Sequence, residues 1–242
     1  GGPFRYSGGP SFYADRFRAP RPSFPDTNSH VLPWHPPRTQ PLVSCIMPTK
    51  GRGCFVAQAI LYFQRQHYPN TELIIVYDED DMPQFCHAVP ETVRWVSVPA
   101  GLTVGEKRNR ACEAAGGSII AHWDDDDWYG PERLCRQVNP IISGEADITA
   151  LTSYPVFGVD SWQFWRMSNG LHRQIFFADV HSGSLVFAKR VWEGGAYYPN
   201  ESLAEDASFL RAAIDQGAWL GRVNGDGLFI YVRHRTNTWK LD

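Results

Sequence analysis

The sequence predicts an α/β domain, a mostly parallel sheet flanked by helices, and three observations predict it. From Leu42 onward, short apolar runs alternate with segments of helical period, which is the pattern of βαβ units whose strands are buried on both faces. Gly- or Pro-containing turns separate the segments. Polar clusters follow directly on three of the runs: Thr49-Lys50, Asp78 to Asp81, and Asp124 to Asp127. Ligands of open α/β sheets bind beyond the carboxyl ends of the strands, so the fold pattern also points to a site.

Each element has its own signal. Leu42 to Met47 is a buried strand ended by the turn Pro48-Thr49-Lys50-Gly51. Cys54 to Gln66 is a helix, with Phe55, Ala59 and Phe63 on one face. Leu73 to Tyr77 and Val93 to Val98 are strands. Thr103 and Glu106 have capping-box spacing and open a helix that runs through Ala115 and stops at Gly116-Gly117. Ser118 to Trp123 is a strand that runs into four aspartates. In the less regular second half, Asp147 to Leu151, Ser184 to Ala188 and Leu228 to Val232 read as strands. Glu205 to Gln216 reads as a helix. Residues 1–41 are rich in Pro, Gly, Arg and aromatics without a period, and read as an irregular arm before a domain over 42–242. An arm that closes over the site or forms a homo-oligomer contact should change ligand affinity or solution mass when deleted.

Composition narrows the function. The chain has 242 residues, enough for a core that needs no disulfide or structural metal. Its net charge of -3 implies no general attraction to nucleic acid. No apolar run approaches the roughly 18 residues of a membrane span. The five cysteines show no CxxC pair, so no zinc site is suggested and a cytoplasmic setting is expected.

The strongest chemical signal is Asp124-Asp125-Asp126-Asp127. Adjacent like charges raise one another's pKa and oppose folding. A divalent cation removes that cost, and magnesium or manganese prefers one or two carboxylates with substrate phosphate oxygens. Alternation puts Asp124 and Asp126 on one face, and Asp125 and Asp127 on the other. One pair could reach a metal and a ribose while the other anchors the loop. A solvated acidic turn is the competing reading, but Trp123 and Trp128-Tyr129 flank this run.

With these pieces in order, the chain resembles an inverting glycosyltransferase of family 2, whose GT-A fold is Rossmann-like. PLVSCIMPTKGR, ELIIVYDEDD, GEKRNRACEAAGG, IIAHWDDDDWYGPERL, LAEDASFLRAAIDQG and FIYVRHRTNTW follow the family's order over roughly residues 42–239. The resemblance implies a nucleotide-sugar donor, most commonly UDP-linked, an acceptor hydroxyl and a Mn2+ or Mg2+ cofactor. It implies that Thr49 and Asp78 line a nucleoside pocket, that Arg108 approaches the base or diphosphate, and that Asp124 meets ribose. It further implies that Asp126 and His234 bind the metal and that Asp206 is the general base. Where the family shows an Asp-Asp-Gly-Ser type turn, this chain has Tyr-Asp-Glu-Asp-Asp, which leaves the nucleoside acid open between Asp78 and Asp80. The metal motif is Asp124/Asp126 or Asp125/Asp127. The first is preferred because the family has one further Asp after it, and Asp125 is then counted with the donor-binding residues.

Several of these residues have plainer readings. Asp206 and Glu205 suit the first turn of any helix. His234 is an ordinary surface histidine unless a phosphate or metal lies beside it. Lys50, Arg52 and Arg108 are phosphate contacts or solvated cations. His181-Ser182-Gly183-Ser184 is placed by position alone in a sugar or acceptor pocket. Two alternatives from other classes are a nucleotidyltransferase, which lacks a Gly-rich phosphate loop here, and a non-catalytic carbohydrate- or protein-binding module.

Overall fold

The computed structural model describes residues 40–82 and 89–239. All but the last two residues of the expected arm, and Cys86, lie outside the described residues. The elements run β1 (Val43–Pro48), α1 (Gly53–Gln64), β2 (Thr71–Asp78), β3 (Val93–Val98), α2 (Val104–Ala114) and β4 (Ile119–His122). They continue with β5 (Trp128–Tyr129), α3 (Arg133–Ile142), β6 (Ile148–Thr152), β7 (Val156–Gly158), β8 (Gln163–Trp165) and α4 (Asn169–Ile175). After a 3-10 turn at Phe177–Asp179 come β9 (His181–Ala188), α5 (Lys189–Glu193), α6 (Glu205–Asp215), β10 (Leu220–Asn224) and β11 (Phe229–Arg233).

Seven strands form the main sheet in the order β10-β6-β9-β4-β1-β2-β3. The pairs β1–β2, β1–β4, β2–β3 and β6–β10 are parallel. β9 alone runs against its two neighbours. The sheet is mostly parallel because βαβ crossovers place helices on both faces. Period-two alternation divides the central strands between two cores. Cys45, Met47, Leu73 and Ile75 pack with Val56, Ala59, Phe63, Leu134 and Val138 of α1 and α3. Ile46, Ile74 and Val76 pack with Ala111, Cys112, Phe209 and Leu210 of α2 and α6. A smaller sheet, β5-β11-β7-β8, lies beyond the end of β4.

Two local features set the position of the site. The expected capping box is present, with the Thr103 side chain accepting from the Glu106 N–H and the Glu106 carboxylate accepting from the Thr103 N–H. It fixes the start of α2. The same first turn of that helix meets the loop at 199–201 so closely that a Cβ on Gly105 would stand 1.9 Å from the Pro199 carbonyl oxygen. Only glycine fits there. This contact brings Arg108 of α2 against Glu205, the first residue of α6. The second feature is the reversal of β9. Its first residues, not its last, lie at the carboxyl edge of the parallel strands, so the sheet edge receives His181 to Gly183 as well as Thr49, Asp78 and Asp124.

Candidate active site

A cavity of about 970 Å3 opens along the carboxyl edge of the main sheet. Thr49 to Arg52 after β1, Arg108 of α2 and Asp124 to Asp127 after β4 line it. So do His181 to Gly183 of β9, Glu205 and Asp206 of α6, and the segment Thr236 to Trp239 after β11.

The strand β4 ends at His122, and the aspartate run is a turn. The four carboxylates nevertheless divide as alternation predicts. Asp125 and Asp127 are buried, and both tie the loop down. Asp125 accepts from the Thr49 hydroxyl at 2.6 Å and from Arg52 Nη1 at 3.0 Å. Asp127 accepts from the Val232 N–H of β11 at 2.9 Å. Burial, and then the Asp126 charge, push the Asp125 carboxyl up to about 6. Burial and the charges of Asp126 and Asp124 push Asp127 well above the carboxylate range. Asp124 and Asp126 are the more open pair. Asp124 accepts from Arg108 Nη2 at 2.8 Å. Asp126 Oδ2 accepts from Arg52 Nη1 at 2.8 Å and Asn237 Nδ2 at 3.2 Å, and faces His234 Nε2 at 3.0 Å.

The bond from Asp127 to β11 explains why His234, 108 residues from Asp126, reaches it. The imidazole stacks on Phe55 with centroids 4.7 Å apart. The Thr236 N–H lies 3.2 Å from Nδ1. The Thr236 hydroxyl also lies 2.9 Å from Nδ1, and Nε2 is the ring nitrogen turned toward Asp126. Among the described residues no three His, Cys, Asp or Glu side chains converge to hold a metal by themselves. Magnesium and manganese do not require three, since substrate phosphates complete their shell. An oxygen and an imidazole donor side by side, within a concentration of carboxylates, fit such a partial set.

Across the cavity stands α6. Its N-cap, Ala204, has φ 60, a left-handed conformation that L residues seldom adopt and that concentrates at functional positions. Glu205 is buried and accepts from Arg108 Nε at 3.1 Å. Arg108, only 3% exposed, therefore links Asp124 to the start of α6. Burial and the neighbouring Glu205 charge push the Asp206 carboxyl up to about 7, although the Arg108 charge acts to lower it.

The residues expected to contact the nucleoside are placed unevenly. Thr49 and Lys50 line the cavity, but neither Asp78 nor Asp80 does. Asp80 lies on an exposed turn. Asp78 is fully buried between two ammonium groups, Lys50 at 2.9 Å and Lys107 in closer contact. Burial alone would raise its carboxyl, and the two lysines hold it below the usual range. The sequence reading gave Lys107, Glu205 and Asn237 no role. Lys107 stands in the charged stretch Glu106-Lys107-Arg108, yet it is 3% exposed and also donates to the Thr49 carbonyl at 2.9 Å. Arg133 carries no signal in the sequence either. It is fully buried below the acidic turn, over the rings of Trp123 and Tyr129.

These features place an acidic cavity at the carboxyl edge of a GT-A-like fold. The sequence profile of glycosyl transferase family 2 matches residues 44–190. The chain belongs to that family. An uncharacterized glycosyltransferase of Haemophilus influenzae is 29% identical over 114 residues, covering 45% of this chain and 46% of the relative. The chain thus spans less than half the length of the curated relatives it matches. The fold is shared with S. aureus TarS 1–349 in complex with UDP-GlcNAc, at TM-score 0.61 and 14% identity over 81% of this chain and 59% of that one. It is shared also with the mannosyltransferase PcManGT from Pyrobaculum calidifontis in complex with GDP-Man and Mn2+. That match has TM-score 0.62 and 13% identity over 85% and 62% of the two chains. No helix of the described residues is long and apolar enough to cross a membrane.

Proposed function

We propose that this chain is a metal-dependent, inverting glycosyltransferase that moves a hexose or N-acetylhexosamine from a UDP-linked donor to an acceptor hydroxyl. One observation carries the reading: Asp124 and Asp126 share a single cavity with Asp206, His234 stands behind them 3.0 Å from Asp126, and buried Arg108 bonds both Asp124 and Glu205, the neighbour of Asp206. Asp126 and His234 would hold Mn2+ or Mg2+. The cation supplies Lewis-acid stabilisation of the charge developing on the leaving diphosphate. Arg52, 2.8 Å from Asp126, adds positive charge on the same side. Thr49 and Lys50 face the nucleoside, and buried Asp78 acts on it through Lys50, which it holds at 2.9 Å. Asp124 meets the ribose.

Asp206 takes the proton of the attacking hydroxyl. A base works best with a pKa near the operating pH, and its carboxyl is pushed up to about 7. With a separate base for the acceptor, one direct displacement inverts the anomeric centre, and no carboxylate need attack it. The solved relatives carry UDP-GlcNAc in one case and GDP-Man in another, so the donor is the point to test. Wild type and Asp206→Asn are incubated with Mn2+ and UDP-glucose, UDP-galactose, UDP-GlcNAc or GDP-mannose, and nucleoside diphosphate release is measured. Release from a UDP-sugar by wild type but not by Asp206→Asn supports the reading. Release from GDP-mannose alone overturns the donor, and equal release by both proteins removes Asp206 as the base.

A further inference from the structure

The aromatic rings of the β7–β8 hairpin take no part in the site described above. All three residues of β8 are exposed. Its Phe164 stands opposite Phe157 of β7, with ring centroids 4.6 Å apart. Trp162 meets Phe157 edge-on at 5.2 Å. Phe164 is 64% exposed and Trp162 78%, and none of the three packs with either core. Trp162 also has φ 54, a left-handed conformation that is strained for a bulky residue and that concentrates at functional positions.

Phe157 and Phe164 help to line a second cavity, of about 410 Å3. Phe55, Gln58 and Tyr62 line it from α1, at a spacing that puts all three on one helical face. Trp128 of β5 joins them, edge-on to Tyr62 at 6.3 Å. Phe55 and Asp125 to Asp127 line this cavity and the main one alike, so the two share the acidic turn as a wall. Shape and charge decide what fits. A concave, mostly aromatic cavity with a few polar groups suits a small-molecule unit better than a flat protein face. The acidic turn repels phosphate, which excludes nucleic acid even though bases also stack on aromatic rings. The three carboxylates already have donors. Asp125 and Asp126 share Arg52, and Asp127 accepts from the Val232 N–H. A cationic ligand would therefore compete with groups already in place. A neutral ligand with apolar faces and hydroxyl edges meets neither obstacle, and a pyranose ring is such a ligand. Its C–H face packs on the negative face of an aromatic ring, and its hydroxyls pair with the exposed Gln58 amide, which both donates and accepts. Trp162 lies past Phe157, beyond the cavity lining, and offers a stacking face to a second sugar unit.

We propose that the groove between α1 and the β7–β8 hairpin is a saccharide subsite, which holds a neutral oligosaccharide acceptor beside the donor cavity. That the bound chain is the acceptor rests on the reading given under Proposed function. That the groove binds a saccharide does not. The exposed hairpin then has a purpose that packing within this chain does not supply.

The test measures binding of cellohexaose, maltohexaose, chitohexaose and mannohexaose by calorimetry, to wild type, Trp162→Ala and Phe164→Ala. No nucleotide or metal is present. Wild type should bind at least one hexasaccharide, and each variant should bind it about tenfold more weakly or worse. Both variants should keep the wild-type affinity for UDP with Mn2+, since neither ring lines the donor cavity. No binding of any of the four to wild type overturns the inference, and so does equal binding by the variants. A wild-type dimer in sedimentation that Trp162→Ala dissociates overturns it as well, by assigning the rings to a second copy of the chain. If no nucleotide binds but ring-dependent saccharide binding persists, the subsite stands and only the donor reading fails. Should one variant melt far below wild type, the other decides.

Discussion

Replacing Arg108 with Met should cost the fold about 3–5 kcal/mol, the range for removing one partner of a buried ion pair. The guanidinium is 3% exposed and bonds Asp124 at 2.8 Å and Glu205 at 3.1 Å. Met retains most of the stem volume, so the loss is chiefly electrostatic. Asp124 and Glu205 would stay in place with their compensating charge gone, and Asp206 would stand beside them. For a domain of this size 1 kcal/mol moves the melting temperature by roughly 2–4 °C, so the fall should be roughly 6–20 °C. The loss should also depend on pH. The Arg108 charge lowers the Asp206 carboxyl, so the variant raises it above its wild-type value of about 7. At pH 5.5 that carboxyl is protonated in both proteins, and the variant gains no extra repulsion. At pH 8 the wild type has released the proton, and the variant must either keep it against solution or bear the repulsion, so the loss is larger there. Urea unfolding at the two pH values measures both effects. A loss below about 1 kcal/mol, or one equal at both pH values, refutes the assignment of Arg108 as the charge that holds the two sides together.

Further outcomes follow from the same geometry. Asp206→Asn should lower turnover about 100- to 10,000-fold, the span of general acid–base catalysis, and leave nucleotide binding in place. In wild type, kcat/KM should rise with pH through about 7 as that carboxyl ionises. Its raised pKa means that the native state keeps a proton the unfolded chain releases. This share of the stability is therefore lost as pH rises from 3.8 to about 7, and urea midpoints for Asp206→Asn should lack that slope. Asp127→Asn should be nearly neutral for stability, because burial already favours the uncharged acid and an amide oxygen can still accept from Val232. Asp127→Ala orphans that N–H and should cost about 1–3 kcal/mol by urea unfolding. His234→Ala should raise the manganese concentration needed for half-maximal turnover at least about tenfold, on the order of a lost metal-site contact. An unchanged manganese requirement would leave His234 as a stacking partner of Phe55.

Elements whose signal is local were legible in the sequence. The apolar runs of β1, β2, β3 and β4 lie within a residue or two of their expected bounds, and Thr103 with Glu106 capped α2 as their spacing required. The division of the four aspartates also followed from residue order. The reversal of β9 was not legible, since an apolar strand reads the same whichever way it runs. Its start at His181, before the apolar run, is set by pairing with Leu151. The strands β5, β7 and β8 are two or three residues long, too short for any period to show. Lys107 and Arg133 look like surface cations in the sequence. Their burial depends on partners in space, Asp78 for the first and the rings of Trp123 and Tyr129 for the second.

The central claim is that the aspartate turn and His234 bind a nucleotide through a divalent cation. Thermal unfolding against UDP, GDP, dTDP and CMP, with and without manganese, tests it directly. A nucleotide present at 100 times its dissociation constant adds about 2.7 kcal/mol to the native state, or roughly 5–11 °C at this chain length. The account predicts that shift with UDP, only when manganese is present, and its loss in Asp126→Asn. No shift with any nucleotide, or a UDP shift of equal size without metal, would contradict it.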